Sequence, residues 1–202
     1  TNALRNTAVG YNAMADVDDG DAVDGCVAVG YGALMGNASN TTAIDGTIAV
    51  GYNSLAALTT GAYNTAVGYL ALQTNQDGSY NSAVGYEALE VFEADTLNHG
   101  NNTAVGYRAG RFVSTGTGNT FVGVNTGVGI TGTRLTGDSN TAVGYSAGLL
   151  LQGAAASNTL IGSNSGLDIT TGGNNTCMGL GAGKDISTGN ENVAVGGETC
   201  GY

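Results

Sequence analysis

Asn64-Thr65-Ala66-Val67-Gly68-Tyr69-Leu70-Ala71-Leu72 decides the fold, because the chain keeps repeating it. The pattern also stands at Asn6-Thr7-Ala8-Val9-Gly10-Tyr11 and at Asn102-Thr103-Ala104-Val105-Gly106-Tyr107. With the central Gly as anchor there are eleven copies: Gly10, Gly30, Gly51, Gly68, Gly85, Gly106, Gly123, Gly144, Gly162, Gly179 and Gly196. Their spacings are 20, 21, 17, 17, 21, 17, 21, 18, 17 and 17, so the base period is 17 with inserts of one to four residues. Each column has a chemical identity. The residue before the anchor is Val in nine copies, two before it is Ala in eight, and four before it is Asn in nine. The residue three after is always Ala, Ser or Thr. A second Gly lies seven before the anchor in six copies: Gly61, Gly78, Gly116, Gly137, Gly172 and Gly189.

Such a period is too short for a strand–helix–strand unit, and it is about half of the ~33–34 residues of the common helical repeats. Thr-Ala-Val followed by Gly is a β-branched run broken by a turn residue. Stacked in sequence, these units form an all-β parallel β-solenoid of about eleven coils, one repeat domain over residues 1–202. At ~4.8 Å per coil the rod is roughly 50 Å long.

Composition agrees with this reading. Among 202 residues there are 36 Gly and no Pro. A ladder in which most backbone N–H groups donate to the next coil excludes Pro, and tight corners demand Gly. Charged residues are 10% of the chain, and the net charge is −11. Nucleic-acid binding needs clustered Lys and Arg, and here there are five. One His, His99, leaves little for acid–base catalysis, so the expectation is that the chain is not an enzyme. The sequence contains no run of 18 apolar residues, the length a membrane-spanning helix needs. The chain begins at Thr1 without a signal-like segment and reads as an excised portion of a longer protein.

Alternation in a strand places Thr and Val on one face and Ala and Gly on the other. Both faces are apolar, and one chain buries only one of them. The expectation is an Ala-rich stripe left along the rod and covered by further copies of the chain, with a trimer as one closed arrangement.

Asn-Thr-Ala-Val-Gly-Tyr-x-Ala-Leu resembles the YadA-like head repeats of trimeric autotransporter adhesins and the similar repeats of phage tail-fibre proteins. The resemblance covers essentially the whole chain. It implies a left-handed parallel β-roll, a homotrimer and an extracellular place, on a cell surface or in a virion fibre. It also implies a non-catalytic role in attachment to a host cell or surface, through a receptor glycan or protein. The period here is longer than in the adhesin heads, which lengthens the loops. Two other readings are a structural subunit of an extracellular filament, with rods joined end to end, and an ice-binding face built on the Thr column. Val27, Ile48 and Val193 interrupt that column.

Several motifs match catalytic patterns without their context. Gly144-Tyr145-Ser146-Ala147-Gly148 fits G-x-S-x-G, but the same slot holds Arg108 in another copy, and the nucleophile elbow needs a strand–helix turn. Gly127-Val128-Gly129-Ile130-Thr131-Gly132 fits G-x-G-x-x-G without a following helix. Asp16, Asp18, Asp19, Asp21 and Asp24 form the densest acidic cluster. It reads either as a solvated loop or, through Asp16, Asp18, Asp19 and Asp21, as hard oxygen ligands for Ca²⁺. Otherwise no cofactor is expected. Seven Tyr follow the anchor (Tyr11, Tyr31, Tyr52, Tyr69, Tyr86, Tyr107 and Tyr145), as a stacked ladder or a sugar-binding strip. The Asn column should hydrogen-bond along the stack or cap the turns. Cys26, Cys177 and Cys200 occupy three different columns and read as small core substitutions or an inter-chain disulfide.

Inserts in solenoids map to loops, often on the binding face. Here they fall in 16–24, 37–46, 91–100 and 130–138. Phe92, Glu93, Asp95, His99 and Arg134 are the receptor-contact candidates. The residue four after the anchor is Met or Leu in the first five copies and Gly in the next five. That change predicts two sub-regions, about 1–105 and 106–202, with different cross-sections.

Overall fold

The computed structural model describes residues 5–17, 23–36, 41–94 and 99–200. Eleven three-residue strands occupy them: β1 (Thr7–Val9), β2 (Val27–Val29), β3 (Ile48–Val50), β4 (Thr65–Val67), β5 (Ser82–Val84), β6 (Thr103–Val105), β7 (Thr120–Val122), β8 (Thr141–Val143), β9 (Thr159–Ile161), β10 (Thr176–Met178) and β11 (Val193–Val195). They form one sheet in sequence order. Every pairing is parallel and in the register of the repeat, as in Ala66 opposite Ala83 and Ala83 opposite Ala104. The chain is a parallel β-solenoid, with no helix among the described residues.

Hydrogen bonding continues around the coil beyond the strands. Between the fourth and fifth coils Thr65 N donates to Asn81 O (2.8 Å), Gly85 N to Val67 O (2.8 Å), Glu87 N to Tyr69 O (2.8 Å) and Leu72 N to Ala88 O (3.0 Å). Anchor glycines have φ between +118° and +142°, a region L-residues rarely enter. In ten of them an added Cβ would also collide with the carbonyl of the next anchor. Backbone shape and coil-to-coil distance both require Gly there.

Inside the coil, the residue two before the anchor points inward. Ala28, Ala49, Ala66, Ala83, Ala104 and Ala142 are completely buried. The expected Ala-rich outer stripe is therefore core, and the stripe left outside is the Thr and Val face. The parity is set by volume. In the early coils Leu34, Leu55, Leu72 and Leu89, four after the anchor, fill the interior opposite small Ala. In the later coils that position is Gly, and in two of them a large residue, Phe121 or Leu160, replaces Ala in the strand, while Ala104 and Ala142 stay small. A Cβ on Gly127 would overlap the Phe121 ring, and one on Gly148 would lie 2.8 Å from Leu160 Cδ1. The change of column near residue 106 is an exchange of volume between two inward positions.

The Asn column is the buried polar spine. Asn64, Asn81, Asn102, Asn119, Asn140, Asn158 and Asn175 are fully buried. Each side-chain oxygen accepts from the backbone N–H and the amide of the Asn above, as Asn119 Oδ1 does from Asn140 N (2.9 Å) and Nδ2 (3.0 Å). Each amide also donates to a carbonyl, as Asn119 Nδ2 does to Gly137 O (3.1 Å). Cys26 stands in this column and is buried. Its thiol donates to Ile44 O (3.2 Å).

Candidate functional site

With Ala turned inward, each strand presents its first and third residues outward, followed by the residue after the anchor. Three ranks then run along the rod: Thr7 to Val193, Val9 to Val195, and Tyr11 to Gly197. None of their side chains is charged, although the chain carries 21 Asp, Glu, Lys and Arg residues (16 + 5). The middle rank leaves apolar surface open along its length, including Val84, Val105, Val122, Ile161 and Met178. Two side-chain steps across and ten coils along make a face roughly 15 Å by 48 Å, on the order of 700 Å². Its Val and Tyr ranks make an apolar strip comparable with the ~300–600 Å² of the largest apolar patch on an ordinary monomer, and the whole face approaches the ~800 Å² per partner of a standard protein interface.

The Tyr rank forms a continuous stack from Tyr11 through Tyr31, Tyr52, Tyr69 and Tyr86 to Tyr107. Neighbouring centroids are 5.0–5.4 Å apart. Tyr145 lies beyond Val124 and outside the ladder. Tyr63 and Tyr80 make a second, two-ring stack. Stacking closes the ring faces to ligands, leaving edges and hydroxyls outside. At the end of the ladder the Arg108 guanidinium sits 4.9 Å from the Tyr107 centroid. A sugar-binding strip that stacks pyranose rings needs open aromatic faces, and the inner rings of the ladder, Tyr31 to Tyr86, are stacked on both sides.

Beside the ladder lies an ion cluster. Glu87, almost fully buried, accepts from Arg108 Nε at 2.8 Å and lies 3.1 Å from Arg111 Nε. Arg111 also pairs with Glu90. The hydrogen bond to Glu87 raises the Arg108 pKa, and a hydrogen bond with Glu87 likewise raises that of Tyr86. At the first coil Arg5 pairs with Asp24, and that hydrogen bond lowers the Asp24 pKa.

The described residues singled out from the inserts differ in their surroundings. Phe92 is fully buried. It lies seven residues after its anchor, the position of Leu58, Val113, Leu151 and Ile169 in other coils. It is a core residue and not a receptor contact. Glu93 is exposed and accepts from Gln76 Nε2 (3.1 Å). His99 is exposed, and its carbonyl accepts from Ser79 N (3.1 Å). Arg134 is exposed on a different insert, and its carbonyl accepts from Gly153 N (3.0 Å). Asp95 lies outside the described residues, as do Asp18, Asp19 and Asp21 of the calcium reading. Asp16 is bridged through its backbone to Gly36. Among the described residues no three His, Cys, Asp or Glu side chains form a metal-sized cluster. Ser146 is buried in a corner of the coil. Cys177 is buried, and desolvation raises its thiol pKa to about 11, whereas Cys200 is exposed.

The outward Val rank was missed because Val and Ala are equally credible as interior residues of a three-residue strand. Comparison with known proteins returned no matching family model, no matching curated protein and no matching solved structure.

Proposed function

We propose that this chain is a non-catalytic segment of an extracellular fibre or adhesin, in which identical rods associate side by side through the Thr–Val–Tyr face. The observation that carries the reading is the uncharged apolar face running the length of a chain of net charge −11. Like charges oppose association everywhere except where charge has been excluded, so a second copy meets least repulsion on this face. Three-fold closure, left-handed coiling and attachment to a host cell or surface follow the resemblance of the repeats to adhesin heads and tail fibres. Multivalent presentation would convert weak single contacts into firm attachment.

Sedimentation equilibrium at micromolar concentration tests the assembly. The wild-type chain is expected to sediment as a trimer. The Val105→Asp/Val122→Asp variant should sediment as a monomer with an unchanged circular dichroism spectrum, because both side chains already point outward. A monomeric wild-type chain overturns the proposal, as does an intact oligomer in the variant.

A further inference from the structure

One cavity lies off the strand face, in a groove of about 720 Å³ where the first four coils turn their corner. Its volume falls inside the ~300–1,000 Å³ range of small-ligand sites. Asp16, Asn53, Thr59, Gln73, Thr74 and Gln76 supply its polar lining, and Met35 and Ala57 belong to its apolar part. Thr59 Oγ1 is held by Gln76 O and Asp77 Oδ1, and Gln76 Nε2 donates to Glu93 Oε1. No Lys, Arg or aromatic side chain lines it. In sequence, the first insert begins at Asp16 and the second begins directly after Gly36.

The chemistry of the lining selects among ligands. Thr74 Oγ1 donates to Glu90 O (3.1 Å) and lies 3.2 Å from Phe92 O. Its hydroxyl proton is thus directed at the backbone. The Asn53 and Gln73 amides and the Asp16 carboxylate make no side-chain hydrogen bond to any described residue. An amide offers two donors and an acceptor, and a carboxylate offers acceptors only. Two amides and a carboxylate around a shallow apolar floor match vicinal hydroxyls, each of which both donates and accepts. Anions are disfavoured by the carboxylate and by the net charge of −11. Peptide recognition relies on an open sheet edge, a deep hydrophobic groove or an Arg cluster, and this groove supplies none of them.

We propose that this groove binds a short neutral oligosaccharide, with Asn53 and Gln73 as its hydrogen-bonding residues. The assignment deepens the attachment reading and rests on it for avidity alone.

The test is an array of printed neutral oligosaccharides built on glucose, galactose and N-acetylhexosamines, with sialylated versions of the same cores. It is probed with the labelled wild-type protein. At least one neutral core should retain the protein, and its sialylated version should not. Asn53→Gly keeps the left-handed corner, where φ is +49°, and removes the amide. Gln73→Ala and the near-isosteric Gln73→Glu remove the second amide. Each variant should bind about ten-fold more weakly, as expected for a lost hydrogen bond of ~1.4 kcal/mol. Their melting curves should match wild type, and Gln73→Glu supplies the reading if Gln73→Ala fails to fold. Failure to bind any neutral core, preference for the sialylated cores, or full binding by the Asn53→Gly/Gln73→Glu double variant overturns the proposal. Sedimentation of the same preparations separates the two readings. A trimer that ignores glycans loses only the groove, and a monomer that binds them loses only the assembly.

Discussion

Asn119→Ala removes one rung of the buried spine, and the structure allows its cost to be worked out. Asn119 Nδ2 donates to Asn102 Oδ1 (3.2 Å) and Gly137 O (3.1 Å). Its Oδ1 accepts from Asn140 N (2.9 Å) and Asn140 Nδ2 (3.0 Å). Two of these partners keep a second bond. Asn102 Oδ1 still accepts from Asn119 N (2.9 Å), and Asn140 Nδ2 still donates to Ala155 O (2.8 Å). Asn140 N and Gly137 O are the groups left without a partner. At ~1–3 kcal/mol for each buried orphan, the loss is about 4 kcal/mol. At roughly 2–4 °C per kcal/mol for a chain of this size, the melting midpoint falls by about 10 °C. Urea and thermal unfolding followed by far-UV circular dichroism measure both quantities. Asn119→Thr is the informative comparison, because Thr47 holds this column naturally and its Oγ1 accepts from Asn64 N (3.4 Å). It should restore the acceptor for Asn140 N, leave Gly137 O orphaned, and cost about half as much. A loss below ~1 kcal/mol for Asn119→Ala, or a Thr variant no better than Ala, would refute the accounting. Asn119→Asp adds a sign test. A carboxylate facing Gly137 O and Asn102 Oδ1 has a folded pKa above its unfolded ~3.9. The native state then holds the proton more tightly, so this variant loses stability as pH rises from 4 to 7.

Three further outcomes follow from the packing. Phe121→Ala should cost ~3–5 kcal/mol, and Gly127→Leu should also destabilise, because its side chain overlaps the Phe121 ring. Combined, they should recover much of the loss, since Leu34 and Leu55 occupy the same corner at φ +48° and +50°; additive losses in equilibrium unfolding would count against the volume exchange. Gly144→Ala places a Cβ 2.6 Å from Gly162 O at φ +136°, so the variant should unfold at least ~4 kcal/mol more easily, and near-wild-type stability would contradict the coil spacing. With its pKa at about 11, Cys177 is a neutral, buried thiol at pH 8. A thiol-reactive dye should then modify Cys200 rapidly, and Cys26 and Cys177 only in denaturant; fast labelling of all three would place the two buried thiols elsewhere.

The period was legible because it is a property of the backbone. An anchor Gly held at φ above +118° and abutting the next anchor tolerates no substitute, so it recurs in every coil. The Asn column was legible for a related reason, since an amide that bonds its own copy above and below repeats for as long as the ladder runs. Strand parity was not legible from the commonest copy. In Thr-Ala-Val either face can be buried, and neither choice leaves a charge inside. The deciding information sat in the exceptions. Phe121 and Leu160 replace Ala in coils where Gly replaces Leu four residues after the anchor. Such exchange of volume has meaning only if both columns point into the same interior. Phe92 was misplaced because it falls within an insert, yet its distance from Gly85 equals that of Leu58 from Gly51.

Parity carries the functional argument. Had Ala faced outward, the rod would present small side chains that permit close approach but bury little apolar area per coil. With Val outward, about two-fifths of Val84, Val105 and Ile161 is still open, so covering each of them contributes on the order of 1 kcal/mol. The same parity sends the charges elsewhere. Glu87, Arg108, Glu90 and Arg111 all lie after the Tyr rank and pair with one another. They flank the uncharged face without entering it. In the proposed assembly a segment built this way would gain association energy with each added coil, while the corner groove, lined by Asn53 and Gln73, lies off the contact face. Lengthening the rod by whole coils would then strengthen assembly without altering what the corner binds.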